Sequence, residues 1–228
     1  MKKHIAATVV AAVALVDASN LQAAGAYKFL KEIPIEGEAR WDYLSVDEVG
    51  RRLYISHGTE VVVINMDKEE VAGKIADTPG VHGIAIAPKL GRAFVSNGKE
   101  NKASIVDIKT LKTLFKVDTG NNPDAILFEP GQEKVYVFNG RGESATVFEA
   151  QSGKVVATIP LGGKPEFAVA EPKTERVFVN IEDKSQVVVI DARTCKVVNR
   201  WPIAQGEEPS GLALDRGITD CSLAVVTS

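Results

Sequence analysis

Cysteine and histidine are scarce in this sequence, which excludes several kinds of site. Its 228 residues include only two cysteines, Cys195 and Cys221, and three histidines. Two cysteines cannot form a disulfide framework. The sequence contains no Cys-x-x-Cys-His haem motif and no Cys/His spacing typical of zinc. Sequence motifs therefore predict no resident cofactor.

A large excess of either charge is also absent. The chain has 27 basic and 30 acidic residues, and removal of residues 1–26 would leave 25 basic and 29 acidic residues. A slightly acidic protein has no broad attraction for nucleic acid or for anionic lipid. The charge balance therefore argues against a nucleic-acid partner.

The apolar run near the start is too short to cross a membrane. Ile5–Val16 is 12 residues long and follows the basic segment Met1-Lys2-Lys3, whereas a spanning helix needs about 20 apolar residues. Ala24-Gly25-Ala26 then offers a small-residue cleavage site, with Ala23 as an earlier option. We predict a signal peptide over residues 1–26 and a periplasmic or secreted protein. The alternative is a buried N-terminal helix.

Helical periodicity is missing from the rest of the chain, which instead alternates short apolar runs with turn formers. Asp124–Pro165 shows the pattern best, because four β-branched or aromatic runs are separated by Pro130-Gly131, Asn139–Gly142 and Ser152-Gly153. Such runs predict a four-stranded meander. The runs are Ala125–Phe128, Val135–Phe138, Thr146–Phe148 and Val155–Ile159.

This unit recurs along the chain. Four residues that each follow a predicted third strand stand 42 positions apart, and four aromatic residues mark the second strands at intervals of 40 or 42. A period of about 40–45 residues with four strands per unit indicates the blades of a β-propeller. The two sets are Asn65, Asp107, Glu149 and Asp191, and Tyr54, Phe94, Tyr136 and Phe178. We interpret the first set as structural residues of the turns.

The period divides the mature chain into four units and part of a fifth. The units run over residues 41–81, 82–123, 124–165 and 166–209, and Ser210 opens the fifth. Tyr27–Ile33 looks like the fourth strand of a blade completed by the other end of a ring. The repeat stops after Arg216. We therefore predict an incomplete propeller over residues 27–216 and an out-of-frame tail over residues 217–228, a hypothesis that the gene sequence would test.

The repeat resembles a known family. Val135–Asn139, Ala145–Glu149, Ser152–Ile159 and Gly163-Lys164-Pro165 are similar to the YVTN-type β-propeller repeat and to its exported, YncE-like group. The resemblance covers residues 27–216. It implies an all-β propeller of four-stranded blades, with seven blades in intact relatives, and it leaves function open because propellers have many functions.

Repeat phase also predicts where a site would lie. In a propeller, the loops that enter the first strand and leave the second meet at one face. We expect a channel-mouth binding site there, formed from Asp42, His57, His82, Asn97, Asp124, Asn139 and Glu166. The competing interpretation is that Asn and Asp stand at these positions because turns favour them.

The sequence is compatible with several functions. The leading hypothesis is a non-catalytic binding or interaction protein for an unknown protein or small molecule, because no nucleophile–base pair or cofactor motif stands out. The alternative is a calcium-dependent, lactonase-like hydrolase with Glu166, Asn139 and Asp124 in the channel. An accessory role beside a quinone- or haem-dependent oxidase is a third. An incomplete propeller should also self-associate through its open blade faces.

Overall fold

The computed structural model describes residues 28–37, 40–203, 206–215 and 222–227. Contacts divide the chain after Glu32, and the sheets described below all follow that division. The predicted signal peptide lies outside the described residues. Among the residues that are described, none forms a helix long and apolar enough to cross a bilayer.

The described residues form 18 strands in five antiparallel sheets, and each sheet pairs its strands in chain order. Blade 1 contains β1 (Trp41–Asp47), β2 (Arg52–His57), β3 (Glu60–Asn65) and β4 (Glu70–Ile75). Blade 2 contains β5 (Val81–Ala87), β6 (Arg92–Asn97), β7 (Lys102–Asp107) and β8 (Lys112–Asp118). Blade 3 contains β9 (Pro123–Glu129), β10 (Lys134–Asn139), β11 (Ser144–Glu149) and β12 (Val155–Pro160). Blade 4 contains β13 (Pro165–Glu171), β14 (Arg176–Ile181), β15 (Gln186–Asp191) and β16 (Lys196–Pro202). The last sheet has two strands, β17 (Pro209–Asp215) and β18 (Ser222–Thr227).

The blades are held together by apolar packing between their faces. The first strands of successive blades adjoin one another, β1 against β5, β5 against β9, β9 against β13, and β13 against β17. Buried clusters join blade 1 to blade 2, blade 2 to blade 3 and blade 3 to blade 4, and a smaller cluster joins blade 4 to β17. The predicted second-strand aromatics are all buried in these clusters, as Phe94 and Tyr136 illustrate. The sequence prediction of propeller blades is confirmed.

The repeated polar residue after each third strand organises a turn, as predicted. Asp107 accepts hydrogen bonds from the backbone N–H groups of Lys109 at 3.0 Å and Thr110 at 2.9 Å. Asn65 and Asp191 accept equivalent bonds in blades 1 and 4, and Glu149 accepts one from the Ser152 hydroxyl. The Asn and Asp side chains thus satisfy turn N–H groups that have no strand partner, and Glu149 holds its turn through a side-chain hydroxyl.

Both ends of the repeat differ from the sequence prediction. The described part of Tyr27–Ile33, residues 28–33, lies outside any strand, because a fourth strand needs a neighbouring strand to pair with and none is provided among the described residues. Ile33 and Ile35 instead pack against Ile55 and Val62 of blade 1. At the other end, β18 pairs with β17 beyond Arg216, where the repeat was expected to stop. Strand pairing requires β-propensity and not a repeat match, so the reading frame of residues 217–228 stays a prediction.

Candidate functional site

Four side chains at one repeat position converge at the entry of the first strands. Each is the second residue of its strand: Asp42 in β1, His82 in β5, Asp124 in β9 and Glu166 in β13. Since these strands adjoin in order, equal positions on them lie side by side. Repeat phase places these four residues at equivalent positions, together with Ser210, the second residue of β17.

A break in strand pairing lies beside each of these residues. The register of β1 against β2 shifts between Trp41 and Leu44, and that of β5 against β6 shifts between Val81 and Ile84. The first strands of blades 3 and 4 pair with the same irregularity. Such bulges turn a side chain away from the plain alternation of a strand and are frequent next to functional sites.

His82 is the centre of the cluster. Its Nδ1 atom lies 2.7 Å from Oδ2 of Asp42 and 3.8 Å from Oδ1 of Asp124. The three donor atoms all lie within 4.8 Å of one another. Three successive blades therefore supply one imidazole nitrogen and two carboxylate oxygens to a single small volume.

Hydrogen bonds to the backbone fix the strands that present these side chains. The Asp42 N–H donates to Oγ of Ser56 at 2.9 Å, and the Ser96 hydroxyl donates to the carbonyl oxygen of Asp124. The Gly83 N–H also donates to Oγ of Ser96, at 2.8 Å. Ser96 thus links the first strands of blades 2 and 3 directly beside His82 and Asp124.

Glu166 extends the cluster and forms an ion pair with a nearby lysine. Its Oε2 atom lies 3.3 Å from Nζ of Lys164, which is also paired with Glu182. The same Oε2 atom is buried and has no hydrogen-bond partner among the described residues. The Lys164 N–H donates to Oδ1 of Asp183 at 2.7 Å. Glu166 is thus held in place mainly by one shared lysine.

The nearby cations do not fully neutralise the buried carboxylates of the cluster. Burial raises the pKa of Asp124 to about 6, with Glu166 and Asp42 adding to the rise and His82 and Lys164 opposing it. Burial likewise raises the pKa of Glu166, against the effect of Lys164. The hydrogen bond to Asp42 raises the pKa of His82 and so favours imidazolium. A group of residues with such shifts is a candidate functional site.

Tyr43 lies beside the cluster and connects blade 1 to blade 4. Its hydroxyl donates to the carbonyl oxygen of Glu166 at 2.9 Å, and its ring centroid lies 5.5 Å from that of Phe167. Burial, together with Asp124 and Glu166, raises the pKa of Tyr43 well above its ordinary value, so the phenol stays protonated. The phenol therefore serves as a neutral hydrogen-bond donor next to three carboxylates.

The three other predicted site residues lie inside their blades and not in the cluster. His57 is buried, with Nδ1 3.3 Å from Glu60 and its ring 4.5 Å from Trp41. The Asn97 amide donates to Glu100 and Ser104, at 2.7 and 2.8 Å. Residues at the end of a second strand point into the hairpin that follows them, which repeat phase could not show.

Asn139 follows the same rule. It is fully buried, and its amide donates to Ser144 and Thr146 at 3.1 Å each. The cluster of Glu166, Asn139 and Asp124 that a lactonase-like calcium site would need is thus not formed by these contacts. Tyr43 and Lys164 were not predicted, because their only signal in the sequence is their place within two residues of a predicted site residue.

An open cleft of about 1580 Å³ borders the cluster. Its lining includes Asp42, His57 and His82, with the basic side chains of Lys99 and Arg141 further along. Ligand sites are usually concave and contain a few convergent polar groups. The cluster is therefore accessible to a small ligand from this side.

Four-stranded antiparallel blades with adjoining first strands define a β-propeller protein. Solved structures agree with this fold. Hydrazine synthase of Kuenenia stuttgartiensis superposes with a TM-score of 0.67 at 18% identity, over 81% of this chain and 55% of that one. The Cps50 (Swd1) β-propeller domain of Myceliophteria thermophila superposes with a TM-score of 0.69 at 12% identity, over 83% of this chain and 63% of that one.

Among sequences, the chain is similar to the uncharacterized protein YncE of Salmonella typhimurium, and equally to YncE of Salmonella typhi. Each is 29% identical over 85 residues, which cover 36% of this chain and 24% of the relative. The matched stretch thus spans about a quarter of these relatives. No protein-family model matches the chain. The partial similarity and the propeller fold together support a YncE-like β-propeller repeat protein.

Proposed function

We propose that this protein is an exported β-propeller that binds a positively charged ligand at the cluster of Asp42, His82, Asp124 and Glu166. One observation carries the proposal: carboxylates from three blades converge in a partly buried volume. The nearby cations are too few to offset the rise in the pKa of Asp124 that this burial causes. A cation would stabilise this arrangement, since it replaces the solvation that burial removes.

Binding is proposed here in preference to catalysis. The cluster lies on the entry ends of rigid strands and beside an open cleft, which suits ligand capture. We further propose that export removes residues 1–26. The intact mass of the protein recovered from the periplasm should then correspond to a chain that begins at Tyr27, or at Ala24 if the earlier site is cut. A chain that retains Met1 there would contradict this.

The ligand proposal is tested with charged probes. We expect Zn²⁺, Ca²⁺ or spermidine to raise the melting temperature of the full chain at neutral pH, whereas sulfate should not. A ligand at about 100 times its Kd stabilises a protein by about 2.7 kcal/mol. The double variant Asp42→Asn/Asp124→Asn should lose the response to the effective probe.

The matched control removes two carboxylates away from the cluster. Asp67→Asn/Asp118→Asn makes the same change of charge at two exposed positions, and it should respond like the wild type. An equal response of both double variants would show that the probes act on overall charge, and the proposed site would be abandoned.

A further inference from the structure

We propose that the cluster is a mononuclear site for a divalent first-row transition-metal ion of the Zn²⁺ type. Nδ1 of His82, Oδ2 of Asp42 and Oδ1 of Asp124 are the ligand atoms. This inference rests on the proposed function and narrows its cation to one chemical class.

The distances between the donor atoms fit one ion. Zinc takes nitrogen and oxygen ligands at about 2.0–2.2 Å in tetrahedral geometry, so neighbouring ligand atoms lie about 3.3 Å apart. The two distances from Nδ1 of His82, 2.7 Å to Asp42 and 3.8 Å to Asp124, lie on either side of that value. All three donor atoms lie within 4.8 Å of one another, so side-chain rotations can bring them to one ion.

The imidazole decides the class of metal. Calcium takes six to eight oxygen ligands, and magnesium keeps several waters with one or two carboxylates. Imidazole nitrogen suits zinc, copper, iron and nickel. A set of one histidine and two carboxylates therefore favours a transition-metal ion over the calcium ion of the lactonase-like alternative, and three protein ligands leave a position for water or another ligand.

A buried polar atom without a partner supports a ligand independently of the three donors. His57 lines the same cleft as Asp42 and His82 and is 3% exposed, and its Nε2 atom has no hydrogen-bond partner among the described residues. The buried Oε2 atom of Glu166 differs from it, because Nζ of Lys164 lies 3.3 Å away as an ion-pair partner. Because buried polar groups are nearly always satisfied, the unpaired Nε2 atom of His57 on the lining of the cleft calls for a water or a ligand there.

A glycine sets the orientation of the His82 ring. A Cβ atom at position 98 would lie 2.7 Å from Nε2 of His82 and 2.8 Å from its Cδ2. Only a glycine lets the ring lie where Nδ1 faces both carboxylates. Gly98 is therefore a positioning residue, and Gly98→Ala should weaken metal binding without removing a ligand.

The test uses metal-free full-length chain, Zn²⁺ titration by calorimetry and Co²⁺ titration by visible absorption. We expect saturable binding of one ion per chain and a Co²⁺ spectrum typical of low-coordinate nitrogen and oxygen ligation. His82→Ala and Asp42→Asn/Asp124→Asn should weaken binding by about 100-fold or more, and Gly98→Ala by about tenfold, since ligand-orienting residues usually contribute 10–100-fold. Asp67→Asn/Asp118→Asn should bind like the wild type.

The outcomes separate the two proposals. If His82→Ala has lost its β-sheet circular dichroism, His82→Gln and Gly98→Ala provide the comparison. Metal binding that is absent, or that His82→Gln and Gly98→Ala leave unchanged, overturns the metal site. If no metal binds but spermidine stabilises the wild type and not Asp42→Asn/Asp124→Asn, the metal inference fails and the binding function stands. If no probe distinguishes the wild type from Asp42→Asn/Asp124→Asn, both the metal site and the proposed binding function fail.

Discussion

Single carboxylates in this protein act in two different ways, and their partners decide which. Glu129 is almost fully buried, and its two oxygens accept the backbone N–H groups of Gly131 at 2.8 Å and Gln132 at 2.7 Å. Asp124 faces other carboxylates and a histidine instead. A buried acid whose oxygens are occupied by turn N–H groups serves the fold, whereas one among like charges is available to a ligand.

The first prediction concerns Glu129. Glu129→Ala should lower the free energy of unfolding by about 1–3 kcal/mol, because the N–H groups of Gly131 and Gln132 lose a charged acceptor in a buried turn. Urea denaturation measures the change. Glu48→Ala, at an exposed turn position, is the control and should stay within about 0.5 kcal/mol of wild type. Equal stability of the Glu129 variant would show that water replaces the carboxylate.

At the scale of strands, the apolar runs identified their elements well. Ala125–Phe128 lies within β9, which extends two residues before it and one after it, and Val155–Ile159 lies within β12, which extends one residue further. The extension arises because backbone pairing continues after the apolar residues end. The repeat period could therefore be converted into blades with little information beyond turn residues and β-branched side chains.

The candidate site could be predicted only in part, for a reason visible in Asp124 and Asn139. Asp124 is the second residue of the first strand of its blade. Adjoining first strands bring equal positions together in any propeller. Asn139 ends a second strand, where the direction of the side chain depends on the next hairpin, with Ser144 and Thr146 as partners. Tyr43 reaches a blade that is 123 residues away in sequence, a contact that no local pattern encodes.

The second prediction concerns that link between blades. Tyr43→Phe should cost about 0.5–1.5 kcal/mol, because the Glu166 carbonyl loses its donor. Tyr43→Ala should cost about 2 kcal/mol, because the contact with Phe167 is lost as well. Chemical denaturation of both variants beside wild type gives the two values. If Tyr43→Phe equals wild type while Tyr43→Ala is destabilised, the ring joins the blades and the hydroxyl does not.

At the scale of the whole molecule, one face of blade 1 has no neighbouring blade among the described residues. Leu44 is 63% exposed, while Ile84 and Leu212, at the same position of their own first strands, are 4% and 6% exposed. Val46 is exposed on the same face of β1, two residues on. Neighbouring exposed apolar side chains on one sheet face are typical of an association surface.

The last prediction is that the chain associates with itself through this face. Burial of a large apolar side chain contributes about 1.5–3 kcal/mol, so Leu44→Lys/Val46→Lys should weaken association by about 100-fold or more. Sedimentation velocity over a range of protein concentrations measures it. The control, Val155→Lys/Val198→Lys, adds the same charge on the outer strands β12 and β16 and should associate like wild type. A wild-type chain that stays monomeric at every concentration would rule this interface out. Leu44 and Val46 would then simply be exposed to water.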